Sequence, residues 1–175
     1  TRMNGLKLQT VSSASLPVPG TDPWYANPGD PALTAMTDFR ERASITVPLG
    51  ASIDAALEHM KHTGVRCAFA VDEASHAVVG LITAYDIEGD ALMRYMQTSL
   101  TPRSQVLVRD LMQPIAAWRT VDVGDVERAT VGQLMKLFDE TRLTHVPVME
   151  RDERGQPRLR GLLSAARVRR LLAPH

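Results

Sequence analysis

Apolar and polar positions change rhythm several times along this chain. "SITV" (44–47) is a short β-branched run. In "SIDAALEHMKHTG" (52–64), Ile53, Ala56, Leu57 and Met60 fall at i, i+3, i+4 and i+7, which lays one apolar stripe along a helix. Ser52 is placed to cap that helix and Gly64 to end it. "CAFAV" (67–71) predicts a buried strand, "DEASH" (72–76) a turn and "AVVGLIT" (77–83) the returning strand of a hairpin. "AYDIEGDALMRYMQ" (84–97) predicts a helix weakened at Gly89.

The same order then returns. "WRTVDV" (118–123) predicts a strand, and "TVGQLMKLFDET" (130–141) a helix with Val131, Leu134, Met135 and Phe138 again at i, i+3, i+4 and i+7. "HVPVME" (145–150), "RDERGQP" (151–157), "RLRGLLS" (158–164) and "AARVRRLL" (165–172) read as strand, turn, strand and helix. Helix and following strand superpose at an offset of 78 residues, with Ile53 on Val131 and Phe69 on Pro147. The phrases "GLITAYDI" (80–87) and "GLLSAARV" (161–168) superpose at 81, because the second turn is three residues longer. This is an internal duplication.

A half of about 60 residues buries only ~60% of its unfolded surface and is marginal alone. The expected fold is therefore α/β (α+β): two β-α-β-β-α repeats related by a pseudo-twofold axis, with sheets packed together over one shared core. Residues 32–97 form the first repeat, 98–114 a connector and 115–175 the second repeat. Residues 1–31 form an irregular N-terminal arm. "SSASLPVPGTDPWYANPGDP" (12–31) is dense in Pro, Gly, Ser and Asp, and Trp24 and Tyr25 can anchor it to the folded body or to a second subunit.

Composition narrows the function. The 175 residues are 44% hydrophobic and 23% charged, the profile of a folded, soluble chain. No apolar run reaches the ~18 residues that span a bilayer, and the N-terminus lacks the layout of a signal peptide. The lone Cys67 has no partner for an internal disulfide and no metal spacing. A cytoplasmic location is expected. Twenty basic and twenty acidic residues cancel, leaving no overall field for nucleic acid. From Arg151 onward, seven arginines face only Asp152 and Glu153. That run is either a solvated face or a surface for phosphate or an acidic partner.

The repeated unit, the "VRDLM" lead-in, "HVPVME" with its hairpin, and the two glycine phrases resemble a tandem pair of CBS domains, a Bateman module, over residues 32–172. The resemblance implies a regulatory module that dimerises and binds an adenosine-containing ligand (AMP, ADP, ATP or S-adenosylmethionine) between the repeats. It implies that Asp86 holds the ribose hydroxyls and that Thr83 sits near the phosphate, with Arg66 facing phosphates before its strand. The candidate nucleotide-binding set is Gly80, Thr83, Tyr85 and Asp86 with Arg66, Phe69 and Thr46. A possible second site gathers Ser164, Arg167, His145 and Pro147.

These roles suit the residues. A carboxylate can accept from both vicinal hydroxyls of a ribose. Gly80, without a side chain, would let a flat base approach the backbone. Thr83 to Asp86 also has the form of a capping box, and the two roles are compatible. Arg167 replaces the acid in the second phrase, and a guanidinium accepts nothing. In the plainer reading the second pocket has lost its ligand and Arg167 points to solvent; in the other Arg167 reaches a phosphate. No catalytic set or metal site is expected. The other function class in view is a structural module without a small ligand, for dimerisation or partner binding. A homodimer is expected through the last helix of each repeat, on Ile87, Leu92, Met93 and Met96 with Val168, Leu171 and Leu172. The sequence does not identify the effector protein.

Overall fold

A computed structural model of the chain describes residues 2–3, 6–17 and 23–174. Residues 18–22 of the expected irregular arm, with residues 1, 4, 5 and 175, lie outside it. Strands β1 (Arg2–Met3) and β2 (Leu6–Lys7) pair antiparallel, and residues 8–17 carry no helix or strand. After a 3-10 turn at Ala32–Ala35 comes β3 (Thr37–Asp38). The first unit then runs β4 (Thr46–Pro48), α1 (Ile53–Thr63), β5 (Cys67–Val71), β6 (Val78–Thr83), α2 (Ala84–Glu88) and α3 (Asp90–Ser99). A lead-in of α4 (Val108–Leu111) and β7 (Gln113–Pro114) precedes the second unit. That unit runs β8 (Val121–Asp122), α5 (Val123–Arg128), α6 (Val131–Thr141), β9 (His145–Arg151), β10 (Pro157–Ser164) and α7 (Ala165–Leu172).

Local chemistry explains most of these limits. Ser52 Oγ accepts from the Ala55 amide at 3.1 Å, and Gly64 closes α1 at φ 76°. Thr130 Oγ1 accepts from the Gln133 amide at 3.2 Å, and Gln133 Oε1 from the Thr130 amide at 2.9 Å, a complete capping box for α6. Two elements differ from the sequence pattern. The helix expected over 84–97 breaks at Gly89, whose backbone is extended, giving α2 and α3. The strand expected over 118–123 shrinks to two residues, because Asp122 Oδ1 takes the Gly124 amide at 2.8 Å and starts α5 instead.

The two sheets repeat one order. In the first, β4 is parallel to β5, which is antiparallel to β6, which is antiparallel to β7. In the second, β8, β9, β10 and β3 follow the same rule. The last strand of each sheet is thus exchanged: β3 precedes the first unit yet closes the second sheet, and β7 closes the first. Glycine permits this crossing. A Cβ at Gly80 would lie 2.6 Å from Met112 Sδ and 2.9 Å from the Gln113 carbonyl. One at Gly161 would lie 2.5 Å from the Thr37 carbonyl. The expectation that a flat base approaches Gly80 is corrected accordingly, since the exchanged lead-in fills that space.

The exchange extends beyond the strands. Ala26, Ala32, Ala35 and Met36 are buried in the core of the second unit. The Val131 and Gly132 amides at the start of α6 donate to the Asp30 and Pro28 carbonyls at 2.9 and 2.8 Å. Val106 does the same for Ile53 in the first unit, at 3.1 Å. Residues 26–38 therefore pack with the second unit, although by sequence position they straddle the arm and the first repeat. Trp24 does not hold the arm down, being 86% exposed.

Each sheet covers its own helices with a separate core. Between the sheets lies a third, smaller cluster of Cys67, Phe69 and Leu81 with Phe39, Trp118, Leu159 and Leu162. The shared core expected from size is this thin layer, and most burial stays within each unit. The apolar residues that suggested a dimer face are largely used there: Ile87, Leu92, Val168 and Leu171 are buried, Met96 and Leu172 half-buried, and Met93 alone is exposed. Among the described residues no helix is long and apolar enough to cross a membrane.

Candidate functional site

The site begins where β6 gives way to α2. Thr83 is buried there as the N-cap, and its Oγ1 accepts from the Asp86 amide at 3.1 Å. Asp86 Oδ2 accepts in return from the Thr83 amide at 3.0 Å. The box fixes both side chains at the helix start and uses one carboxylate oxygen; Oδ1 makes no hydrogen bond among the described residues. Beside them opens a cavity of about 280 Å³. Leu81, Thr83 and Asp86 line it from the first unit, Leu111 and Gln113 from the exchanged lead-in, and Leu143, Thr144 and His145 from the second unit.

His145, expected in a second pocket, thus stands in the first. Its Nδ1 lies 3.1 Å from Thr144 Oγ1. Burial, helped by the nearby Arg66 guanidinium, pushes its pKa down to about 4, so the ring is neutral at pH 7. Its ring is 6.4 Å from that of Tyr85, and Arg66 Nη1 donates to the Tyr85 hydroxyl at 2.9 Å. Arg66 and Tyr85 also line a larger cavity of about 540 Å³ with Lys61 and Glu88, but neither Thr83 nor Asp86 borders that space. Cys67 pairs with Thr83 across β5 and β6. Burial, with Asp86 adding to it, pushes its thiol up to about 12, which keeps it an inert core group.

The second phrase builds a different place. Ser164 Oγ accepts from the Arg167 amide at 3.4 Å, and Arg167 Nε donates to the Ala35 carbonyl at 3.2 Å. Arg167 is half-buried and does not point to solvent, which corrects the plainer sequence reading. It lines a cavity of about 310 Å³ with Arg40, Arg42 and Arg160, beside Asp38, Glu41 and the Leu33–Thr37 lead-in. Arg160 reaches Asp38 Oδ1 and Oδ2 at 3.2 and 3.3 Å. Other arginines of the C-terminal run find local partners: Arg158 on Glu150 at 3.3 Å, Arg169 on Asp139 at 3.7 Å, and Arg151 on the Gly155 carbonyl at 2.7 Å.

The remaining candidates lie elsewhere. Phe69 is in the layer between the sheets, 5.6 Å from Phe39 and 5.8 Å from Trp118. Pro147 is buried in β9, paired with Leu162, and Thr46 is exposed in β4 opposite Phe69. Phe69, Pro147, Thr46 and Gly80 line none of these three cavities. Sequence reasoning missed Leu111, Gln113 and Thr144 in the first cavity and Arg40 and Arg42 in the second, and it read Arg160 only as one of the C-terminal arginine run. A signal existed: "ALTAM" (32–36) stands at an offset of 76 from "VRDLM" (108–112) and marks the second lead-in. Among the described residues no group of three or more His, Cys, Asp or Glu could hold a metal ion.

The family model described as CBS domain matches residues 37–88 and 108–174. Among solved structures, CBSX2, a CBS-pair protein from Arabidopsis thaliana, crystallised in complex with AMP, is 23% identical. That match covers 81% of this chain and 95% of the other, at a TM-score of 0.51. An uncharacterized conserved protein from Pyrococcus horikoshii is 18% identical, with coverage of 82% and 92% and a TM-score of 0.55. A CBS-domain containing protein from Agrobacterium tumefaciens is 23% identical, with coverage of 77% and 91% and a TM-score of 0.53. Comparison with curated proteins finds no match.

Proposed function

The chain belongs to the CBS-domain family, and from that premise we propose that it is a non-enzymatic regulatory module sensing an adenosine-containing nucleotide in the cavity at Thr83 and Asp86. The observation that carries the reading is convergence: a fixed carboxylate and hydroxyl from one unit share a cavity with His145 and Thr144 of the other. Asp86 Oδ1 is available for a ribose hydroxyl while Oδ2 holds the cap; a ligand that takes both oxygens would replace the Thr83 amide bond. The neutral His145 ring and the Thr144 hydroxyl share one proton between them, which leaves one donor, the Nε2–H or the hydroxyl, for a phosphate oxygen without a prior charge to displace. A ligand there touches both units at once, so occupancy favours one arrangement of the pair. That CBSX2 was crystallised with AMP supports an adenine nucleotide as the ligand class; S-adenosylmethionine shares the ribose that Asp86 would hold.

Asp86→Glu tests the reading. Glutamate is a preferred acid in a capping box, so the melting temperature without ligand should hold. Its added methylene moves the carboxylate by about 1.5 Å and spoils hydrogen bonds to both hydroxyls. Affinity for whichever of AMP, ADP, ATP or S-adenosylmethionine stabilises the parent should fall by about tenfold or more. A variant that binds as tightly as the parent would show that Asp86 is only a cap.

A further inference from the structure

The cavity of about 540 Å³, which neither Thr83 nor Asp86 borders, is a groove where α1 packs on α2. Its floor is apolar, with Leu57 and Met60 buried and Val65 and Ala84 half-buried. The Tyr85 ring stands at it, 41% exposed. Lys61 lines it from α1 and Glu88 from α2, and Glu58 lies three residues before Lys61 on the same side of α1. The second unit presents the matching surface on α6 and α7 with these charges reversed. At the repeat offsets of 78 and 81, Lys136 stands for Glu58, Asp139 for Lys61 and Arg169 for Glu88. All six residues are exposed. Asp139 and Arg169 lie 3.7 Å apart, in the places that Lys61 and Glu88 hold in the first unit. Size is reversed as well, since exposed Ala166 stands for Tyr85. Duplication explains why the two surfaces share their helices; it does not explain why these three charges are inverted.

We propose that the groove is an interface between two copies of this chain, in which the first unit of each copy docks on the second unit of the other. A face laid on its own copy about a twofold axis brings the residues nearest the axis against themselves, Lys61 on the partner's Lys61 or Glu88 on the partner's Glu88. Laid on the reversed face, Lys61 meets the partner's Asp139 and Glu88 the partner's Arg169. Whichever of the three positions lies nearest the axis, the crossed arrangement joins opposite charges and the other joins like ones. It also sets the Tyr85 ring against the partner's Ala166, where there is room for it. Each copy uses both of its faces, so the pair closes. The apolar floor supplies burial, and the charges set which face it accepts. Ile87, Leu92, Val168 and Leu171, expected at a dimer face, are buried within their own units and take no part. This assignment and nucleotide sensing at Asp86 do not need each other.

Sedimentation equilibrium of the full chain tests the assignment. The parent should be a dimer at micromolar concentration, weakened by added salt. Lys61→Glu sets an acid against the partner's Asp139, and Asp139→Lys sets a cation against the partner's Lys61. Each change occurs twice in the pair, so each should raise the dimer dissociation constant about tenfold. The double variant Lys61→Glu with Asp139→Lys restores opposite charges and should return to within about threefold of the parent. That recovery also excludes a folding defect as the cause of the single losses. Arg128→Gln, an exposed arginine outside both faces, should change nothing. Three results would overturn the proposal. One is a parent that stays monomeric at high micromolar concentration. Another is single variants that dimerise like the parent, the result for faces laid on themselves. The third is a double variant as weak as the single ones. Each leaves the Asp86→Glu experiment untouched, because neither Lys61 nor Asp139 borders that cavity.

Discussion

His145 is the residue whose ionisation is most closely tied to its surroundings in the first cavity. In the unfolded chain an imidazole titrates near 6.5; in the fold burial lowers this one to about 4, and Arg66 opposes its charging further. Above pH 6.5 both states carry a neutral ring and nothing is lost. As pH falls below 6.5 the unfolded chain binds the proton first, so stability declines until the folded pKa is reached. The loss between pH 6.5 and 4 should be of order 1–3 kcal/mol. Urea unfolding at a series of pH values should show a shallower acid limb for His145→Asn than for the parent; equal limbs would mean the ring is not held neutral. Thr83 and Asp86 could be read from sequence because a cap leaves a local signature of a hydroxyl and an acid three residues apart. His145 could not be placed, because alignment sets it against Cys67 inside its own repeat, whereas the cavity is assembled across repeats. Arg167 was legible as a substitution, but the Ala35 carbonyl that orients it lies 132 residues away.

At the scale of elements, α1 and α6 are the same helix written twice, and they differ in how they stop. Gly64 ends α1 at φ 76°, and its counterpart Arg142 ends α6 at φ 61°. A side chain in that left-handed region is strained and glycine is not. Arg142 is exposed, so Arg142→Gly should stabilise the protein by roughly 0.5–1 kcal/mol, raising the melting temperature by about 1–4 °C. Thermal unfolding measures this directly, and a decrease would mean the arginine side chain contributes more than its backbone costs. Helices with an apolar stripe, such as α1 and α6, were legible to within a residue because a 3.6-residue period needs no partner to be seen. The two-residue strands β3 and β7 were not, since a pair of residues carries no period and becomes a strand only through its neighbour; β8 was read, but as the longer strand 118–123.

For the whole molecule the governing feature is the exchange of β3 and β7 between the sheets. Each crossing depends on a glycine, but the two are not equally tight. At Gly161 the obstacle is a backbone carbonyl at 2.5 Å; at Gly80 the nearest atom is the movable Met112 sulfur. Gly161→Ala should therefore cost about 2–3 kcal/mol and Gly80→Ala less, read as shifts of the urea midpoint at constant slope. Reversal of that order would mean the second crossing relaxes more easily than its backbone contact suggests. The duplicated units were visible in the sequence, but not which sheet each lead-in would join, because both edges present the same pattern. The exchange also sets an order of events during synthesis. Residues 113–114 join a sheet whose other strands have already left the ribosome, so the first unit can close as soon as they emerge. Residues 37–38 emerge well before their neighbour β10, in which Gly161, the partner of Asp38, follows 123 residues later. At ~5–20 residues per second that segment waits roughly 6–25 s with its edge unpaired. The buried methionine and alanines around it are then open to chaperones, proteases or a neighbouring chain, and of the two units the one that carries the arginine cavity is completed second.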